Sequence, residues 1–246
     1  MDVDGRARIL TLIPAFNEEA SISSTIQGLR RTIDGVEIVV VDDGSEDDTA
    51  ALAEAAGASV MQMPGNLGKG AAVNRAFTEL DLSDDDVLLL IDADLGDSSA
   101  EGVKLVSALI DGEADMVIAI FDKPRRPGGF GLVKGLARWG IKRLGSFYVQ
   151  APLSGQRAMK ASLFREVGGL DGGYGMETGL TIDALRLGYK IKEVSTKMSH
   201  NETGRDIVGF THRGRQFKAV ASAILKRALR LNTRPNKAKS MKRTAP

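Results

Sequence analysis

Three clusters of acidic and polar residues stand where apolar runs stop. Asp92-Ala93-Asp94 follows Val87–Ile91, Asp42-Asp43-Gly44-Ser45 follows Val36–Val41, and Pro14-Ala15-Phe16-Asn17-Glu18 closes the run that begins at Ile9. Two carboxylates one residue apart after a buried strand suit a hard divalent cation that bridges phosphate oxygens. Taken alone, the pair fits an acidic turn or a helix cap equally well. Ionised Asp43 accepts hydrogen bonds and donates none, which suits the N–H of a pyrimidine or the hydroxyls of a ribose. Gly68-Lys69-Gly70 sets a cation between two glycines at a predicted helix start, where backbone can approach an anion. A plain helix start would read the same. A P-loop is excluded, because Gly65 to Lys69 is too short for GxxxxGK and Gly70 stands where Ser or Thr is needed.

The second half of the chain adds fewer candidates. Glu177 lies at the start of a predicted helix, where the macrodipole favours an acid whatever its role. His200, one of 2 histidines, follows a strand and is either a ligand or an ordinary unligated histidine. Arg157 and Arg205 are forked donors, suited to a diphosphate, an anionic acceptor or a surface salt bridge. Asp183 lies off the helix face of Glu177 and is expected to be structural or to support the site from behind the residues that line it. Trp139 is expected in the core.

Elements that could position these residues are readable in the 246-residue chain, whose 43% hydrophobic and 26% charged residues are those of a globular α/β protein. Ile9–Pro14, Val36–Val41, Ser59–Met63, Val87–Ile91 and Met116–Phe121 read as strands. Asn17 is expected to cap a helix with Ile22, Ile26, Leu29 and Ile33 on its apolar face. Further helices are expected at Thr49–Ala56, Gly68–Leu80 and Val103–Ile110. This βαβ alternation predicts a Rossmann-like, mostly parallel sheet with helices on both faces and ligands beyond the carboxyl ends of the strands.

Beyond it the expectation is a helix near Leu132–Leu144, a strand near Gly155–Met159, a helix near Thr178–Leu187 and a strand at Lys190–Val194. Lys123–Gly131, with two Pro and three Gly, reads as a mobile lid. From Thr211 a C-terminal amphipathic helix is expected. Phe217, Val220, Ala221, Ile224, Leu225 and Ala228 form its apolar stripe, opposite Arg215, Lys226, Arg227 and Arg230. The last residues read as a disordered basic tail.

Composition narrows the function. Residues 1–122 hold 7 Lys+Arg against 25 Asp+Glu, and residues 123–246 hold 26 against 7. Halves of opposite sign either simply attract or meet at a cleft that takes a cation on one side and phosphate on the other. Cysteine is absent, which excludes disulfides and thiolate chemistry. Aromatics at 5% argue against nucleic acid as a partner. No apolar run approaches the roughly 18 residues of a spanning helix, and the polar start carries no leader pattern. The expected location is cytoplasmic; the basic C-terminal helix either makes peripheral contact with the anionic inner membrane face or packs its apolar stripe on the catalytic domain with its basic side in water.

Taken together, IPAFNEE (13–19), VVVVDDGSEDDT (38–49), NLGKGAA (66–72) and LLLIDADLG (88–96) resemble the successive signatures of family 2 glycosyltransferases with the GT-A fold. The resemblance implies a nucleotide-diphospho-sugar donor, UDP- rather than GDP-linked by family habit, with Mg²⁺ or Mn²⁺. By it, Ala15, Glu18 and Asp43 would contact the base and ribose, with Pro14 and Asn17 in the same nucleotide-sugar segment. Lys69 would lie beside the nucleotide, and Asp92 and Asp94 would form the metal-linked pair.

APLSGQRAMK (151–160) is similar to the acceptor segment of the group, which brings in Ser154, Gly155 and Arg157. GYGMETGLTIDAL (173–185) is close in form to the acidic acceptor motif of glucosyl-3-phosphoglycerate synthases, retaining enzymes of family 81. In that family a His near MSHNETGRD completes the metal site, and His200 is the match. Dolichyl-phosphate hexosyltransferases share GKGAA, DADL and SGxR, but this chain departs from their Gly-x-Ser-Lys.

The organisation implied is a catalytic domain over 1–205, with a nucleotide-sugar half at 1–122 and an acceptor half at 123–205, followed by the helix and tail at 206–246. Glu177 and Arg205 would be catalytic, the first as base or orienting group and the second offsetting leaving-group charge. The acceptor would be a small phosphorylated molecule or lipid-linked. Stereochemistry and homodimer formation stay open. A nucleotidyltransferase and a receiver-like acidic pocket are the competing readings. The first would need a Gly-rich loop with Arg where Pro14–Glu19 stands, and the second is about half this length.

Overall fold

In the computed structural model, residues 8–122, 131–200 and 211–230 are described. The lid expected at Lys123–Gly131 (all but Gly131), Arg205 and the basic end after Arg230 lie outside them. Seven strands form one sheet in the order β3-β2-β1-β4-β6-β5-β7. They are β1 (Ile9–Ala15), β2 (Glu37–Asp42), β3 (Ser59–Gln62), β4 (Val87–Leu90), β5 (Met116–Phe121), β6 (Arg157–Lys160) and β7 (Ile191–Thr196). Their side chains alternate between two cores, as the period of a strand requires. Ile13, Ile38, Val40, Leu89 and Ile91 pack on one side, under α1 (Ile22–Thr32), α2 (Thr49–Ala55) and α4 (Gly102–Ile110). Leu10, Leu12, Val39, Val41, Leu88 and Leu90 pack on the other, under α3 (Lys69–Glu79), α6 (Ala161–Val167) and α7 (Met176–Leu187). This is the α/β, mostly parallel sheet expected.

One strand departs from the simple alternation. β6 runs antiparallel between β4 and β5, with Arg157 opposite both Leu90 and Ile118. Its first residue therefore lies at the same rim where β4 ends, and the loop before β6 reaches the carboxyl edge of the parallel strands. The helix α6 and the 3₁₀ segment Ala93–Glu101 carry too short a periodic pattern to be read from sequence.

Three local expectations are corrected. Asn17 does not cap α1, since Ser21 occupies that position and Asn17 takes φ 53° in the turn before it. Trp139, on α5 (Gly131–Gly145), is 59% exposed because α5 buries Val133, Ala137, Gly140 and Ile141 instead. On α8 (Thr211–Arg230), Val220, Ala223, Ile224 and Arg227 face inward while Phe217 and Leu225 face out. The buried side is thus rotated from the expected stripe. Arg227 belongs to it because its guanidinium pairs with Asp171 and Asp183, the latter with Nη2 2.5 Å from Oδ2. Asp183 is structural, as read. Val133, Ala137, Ile141, Ile182, Val220 and Ile224 join α5, α7 and α8 into a third apolar cluster.

Candidate active site

The rim is assembled from strand ends that are hydrogen-bonded to one another. After β1, the backbone of Asp43 donates to the Ala15 carbonyl (2.8 Å), Asn17 N–H donates to Ser45 Oγ (2.9 Å), and Glu18 N–H donates to Thr49 Oγ1 (2.7 Å). Asn17 Oδ1 accepts from Glu46 N–H at 2.8 Å. Pro14, Ala15, Asn17 and Glu18 thus lie in one knitted turn at the end of β1. Asp43 is 4% exposed, and its two carboxylate oxygens accept from the N–H groups of Leu67 (2.8 Å) and Gly68 (2.6 Å). It holds the turn that delivers Lys69. Gly68 has φ 90°, a left-handed conformation that glycine adopts without strain.

The Asp92–Asp94 segment is fixed from α1. Thr25 Oγ1 donates to the Ala93 carbonyl and accepts from Gly96 N–H, both at 2.8 Å, while Ser99 Oγ donates to the Thr25 carbonyl at 2.7 Å. Asp92, Asp94 and His200 each offer a ligand atom, and these atoms lie within 4.8 Å of one another. His200 Nδ1 stands 2.8 and 3.0 Å from the two Asp94 oxygens. Two carboxylates and an imidazole make a mixed oxygen and nitrogen donor set that fits Mg²⁺ or, better, Mn²⁺.

Lys69 pairs with Asp92 and stands 3.9 Å from Glu177. The halves meet here because α3 starts against the segment before α7: a Cβ on Gly70 would come within 2.5 Å of the Asp171 carbonyl oxygen. Burial alone would lower the Lys69 pKa, but Asp92 and Glu177 outweigh it and hold it above the ordinary lysine value. Burial likewise opposes ionisation of Asp92, and Lys69 overrides it, so Asp92 stays charged below the usual carboxylate range. At Glu177 burial prevails over Lys69 and Arg157, and its pKa is raised. Such a carboxyl is a better proton acceptor than an exposed one.

Two cavities meet at Asp92. The first, about 530 Å³, is lined by Gly68, Lys69, Asp92, Gly155, Glu177 and Gln216, with Val133, Leu153 and Met176 as apolar walls. The second, about 450 Å³, has Asp92, Ser154, Gln156 and His200 on one side and Lys134 and Arg138 of α5 on the other. Burial, with Arg138 adding to it, lowers the Lys134 pKa. Gly155 separates the cavities. Arg157 lines neither: it is 1% exposed, and donates from Nε to the Ser154 carbonyl (2.9 Å) and from Nη1 to Thr181 Oγ1 (2.8 Å). Burial pulls its pKa down to about 10. It props the 154–156 turn from beneath, because β6 is an interior strand and residue 157 points into the layer under α7. Pro14, Ala15, Asn17, Glu18 and Asp43 also lie outside both linings.

Five residues at or around the site are not singled out by the sequence. Gln156 donates to Asp92, and Gln216 brings α8 into the wall. Glu193 accepts from Gln150 and Ala151 N–H, fixing the loop before β6. Lys134 and Arg138 fall in the helix expected near Leu132–Leu144, and nothing in the sequence says which way they face.

The glycosyl transferase family 2 model matches residues 11–160. The chain is 34% identical over 206 residues to glucosyl-3-phosphoglycerate synthase of Mycobacterium tuberculosis, which covers 73% of this chain and 62% of that protein. It is 30% identical over 234 residues to undecaprenyl-phosphate mannosyltransferase of Micrococcus luteus, covering 84% and 94%. The crystal structure of the M. tuberculosis synthase with Mg²⁺ and UDP superposes with a TM-score of 0.75 at 30% identity, over 95% of this chain and 82% of that one. Further structures of that synthase hold Mn²⁺ with UDP and phosphoglyceric acid, or with UDP-glucose and phosphoglyceric acid.

Proposed function

The chain belongs to glycosyl transferase family 2 and is a glycosyltransferase, and on that premise we propose that it moves a hexose from a UDP-sugar to a phosphorylated acceptor with Mg²⁺ or Mn²⁺. One observation carries the reading: the donor atoms of Asp92, Asp94 and His200 converge beside Lys69 and Glu177. The relatives solved with UDP and either metal support it.

Asp92, Asp94 and His200 would hold the cation, which when bound neutralises diphosphate charge. The protein's own groups do the rest. The turn at Pro14–Glu18, with Asp43 beneath it, forms the floor on which the nucleotide rests. Lys69 faces the departing diphosphate as a fixed positive charge. Glu177 accepts a hydrogen bond, or the proton itself, from the hydroxyl that lies over it in the first cavity. Gly155 faces both cavities and Ser154 the second, and Arg157 keeps them in place. Lys134 and Arg138 give the second cavity a positive wall suited to an acceptor phosphate, whether on a small molecule or a lipid.

Calorimetric titration of UDP with and without Mn²⁺ tests the donor half of this reading. Wild type should bind UDP more tightly with Mn²⁺, and Asp94→Ala should lose that dependence while keeping its fold. Unchanged Mn²⁺-dependent binding in Asp94→Ala would remove the acidic pair from the site.

A further inference from the structure

The helices α5 and α8 carry no acidic residue: Gly131–Gly145 and Thr211–Arg230 hold Lys and Arg but neither Asp nor Glu. Their inner faces are occupied, meeting each other and α7 in the third apolar cluster, where Gly140 lets Ile224 approach. Their outer faces are not purely polar. Leu132 and Trp139, seven residues apart and so on one side of α5, are 81% and 59% exposed. Leu225 and Leu229, four apart on α8, are 59% and 61% exposed. Of the nine large hydrophobic residues exposed among the described residues, five lie on these two helices, the fifth being Phe217. Lys142, Arg143, Arg215, Lys218 and Lys226 are exposed among them.

Cations and bulky apolar groups share this surface; neither helix carries an anion, and Asp171, outside them, pairs with Lys226 at 3.3 Å. A nucleic acid would satisfy the charges and leave Leu132, Trp139 and Leu229 in water. An acidic peptide would do the same unless it also brought a matched apolar face. A bilayer with anionic headgroups satisfies both at one depth: phosphates pair with Lys and Arg, and the boundary below them takes leucine and indole. We propose that the outer faces of α5 and α8 dock this enzyme on an anionic lipid surface. The same α5 contributes Val133 to the first cavity and Lys134 and Arg138 to the second, so docking sets a wall common to both against the headgroups. The attachment is reversible, since no helix of the described residues is long and apolar enough to cross a membrane.

Trp139 is the one tryptophan of the chain, so its emission reports on this surface alone. The full chain is titrated with phosphatidylglycerol vesicles, phosphatidylcholine vesicles and heparin, with co-sedimentation in parallel. Phosphatidylglycerol should shift the emission to the blue and pellet the protein, and salt should weaken both effects. The triple variant Lys142→Glu, Arg143→Glu, Lys218→Glu should partition at least about tenfold less. Trp139→Ser should weaken sedimentation without changing its salt dependence. No blue shift with phosphatidylglycerol, an equal shift with heparin, or vesicle binding lost only when residues 231–246 are removed would each overturn the proposal. UDP and Mn²⁺ binding, measured on the same samples, shows that the variants fold and keeps any failure of the donor reading separate.

Discussion

Replacing Gly155 by alanine should cripple the enzyme without unfolding it. A Cβ at this position would stand 2.4 Å from Lys69 Nζ and 3.0 and 3.1 Å from the Asp92 carboxylate oxygens. The Gly155 backbone is not in the left-handed region, so an alanine is conformationally allowed. The clash is relieved at the cheapest point, the free end of the Lys69 side chain. Ordinary contact with the new methyl requires the ammonium to move by about 1 Å, away from Asp92 and from its place between the cavities. Misplacing a charged group by that distance costs roughly 10²-fold in rate, or about 2.7 kcal/mol in the barrier. The stability cost is smaller, about 1 kcal/mol, since the Lys69–Asp92 bond is weakened rather than deleted. UDP release from the UDP-sugar donor, followed as kcat/KM with a thermal melt of the same sample, separates the two effects. Activity within about twofold of wild type would refute the claim that Lys69 must sit against Asp92. A melt lowered by several kcal/mol would show that the backbone, and not the lysine, had given way.

Arg227→Met removes the guanidinium from Asp183 and leaves Asp171 with the more exposed Lys226, and should cost about 3 kcal/mol, the low end for breaking a buried pair because both acids keep some solvent. Chemical denaturation would measure it, and a loss below about 1 kcal/mol would mean that α8 is held by its apolar side alone. Glu177→Gln should reduce transfer by at least about 10²-fold yet raise stability at neutral pH. Because the folded state raises the Glu177 pKa, it holds a proton that the unfolded chain has released, and wild-type stability falls as pH rises from the ordinary glutamate value through the raised one. Melts between about pH 4 and 8 should show this slope in wild type and not in Glu177→Gln. His200→Ala should raise the Mn²⁺ concentration needed for half-maximal activity by about 10–100-fold, and superimposable metal titrations would take His200 out of the ligand set.

The strands and the acidic corners were legible because both signals are local. Val36–Val41 and Val87–Ile91 are apolar runs that stop at aspartates, and topology alone brings such ends to one rim. Lys69 was legible for the same reason, lying between two glycines at a helix start. What failed depended on partners distant in sequence. Arg227 reads as the polar side of α8 until Asp171 and Asp183 are known to lie beneath it. Trp139 reads as core because of its size, but Gly140 and Ile141 turn the other side of α5 inward. Arg157 was matched to an acceptor segment, while its direction is set by the parity of β6, which a four-residue strand does not announce. Gln156, in the turn before β6, and Gln216, on α8, belong to the site only through tertiary packing, and no spacing foretells that.

The reversed direction of β6 has a consequence for how such an enzyme could change its substrate. Because this strand begins at the rim where β4 ends, the residues that face Asp92 from across the site arrive in the connection before β6, not in one that follows a parallel strand. That connection, 146–156, is anchored at its own points: the Glu193 carboxylate grips Gln150 and Ala151, and Arg138 holds the carbonyls of Val149 and Gln150. Under the proposed function, a change in its length or composition between these anchors leaves the parallel strands in register, so a different acceptor would call for exchanging one loop with the donor side left standing.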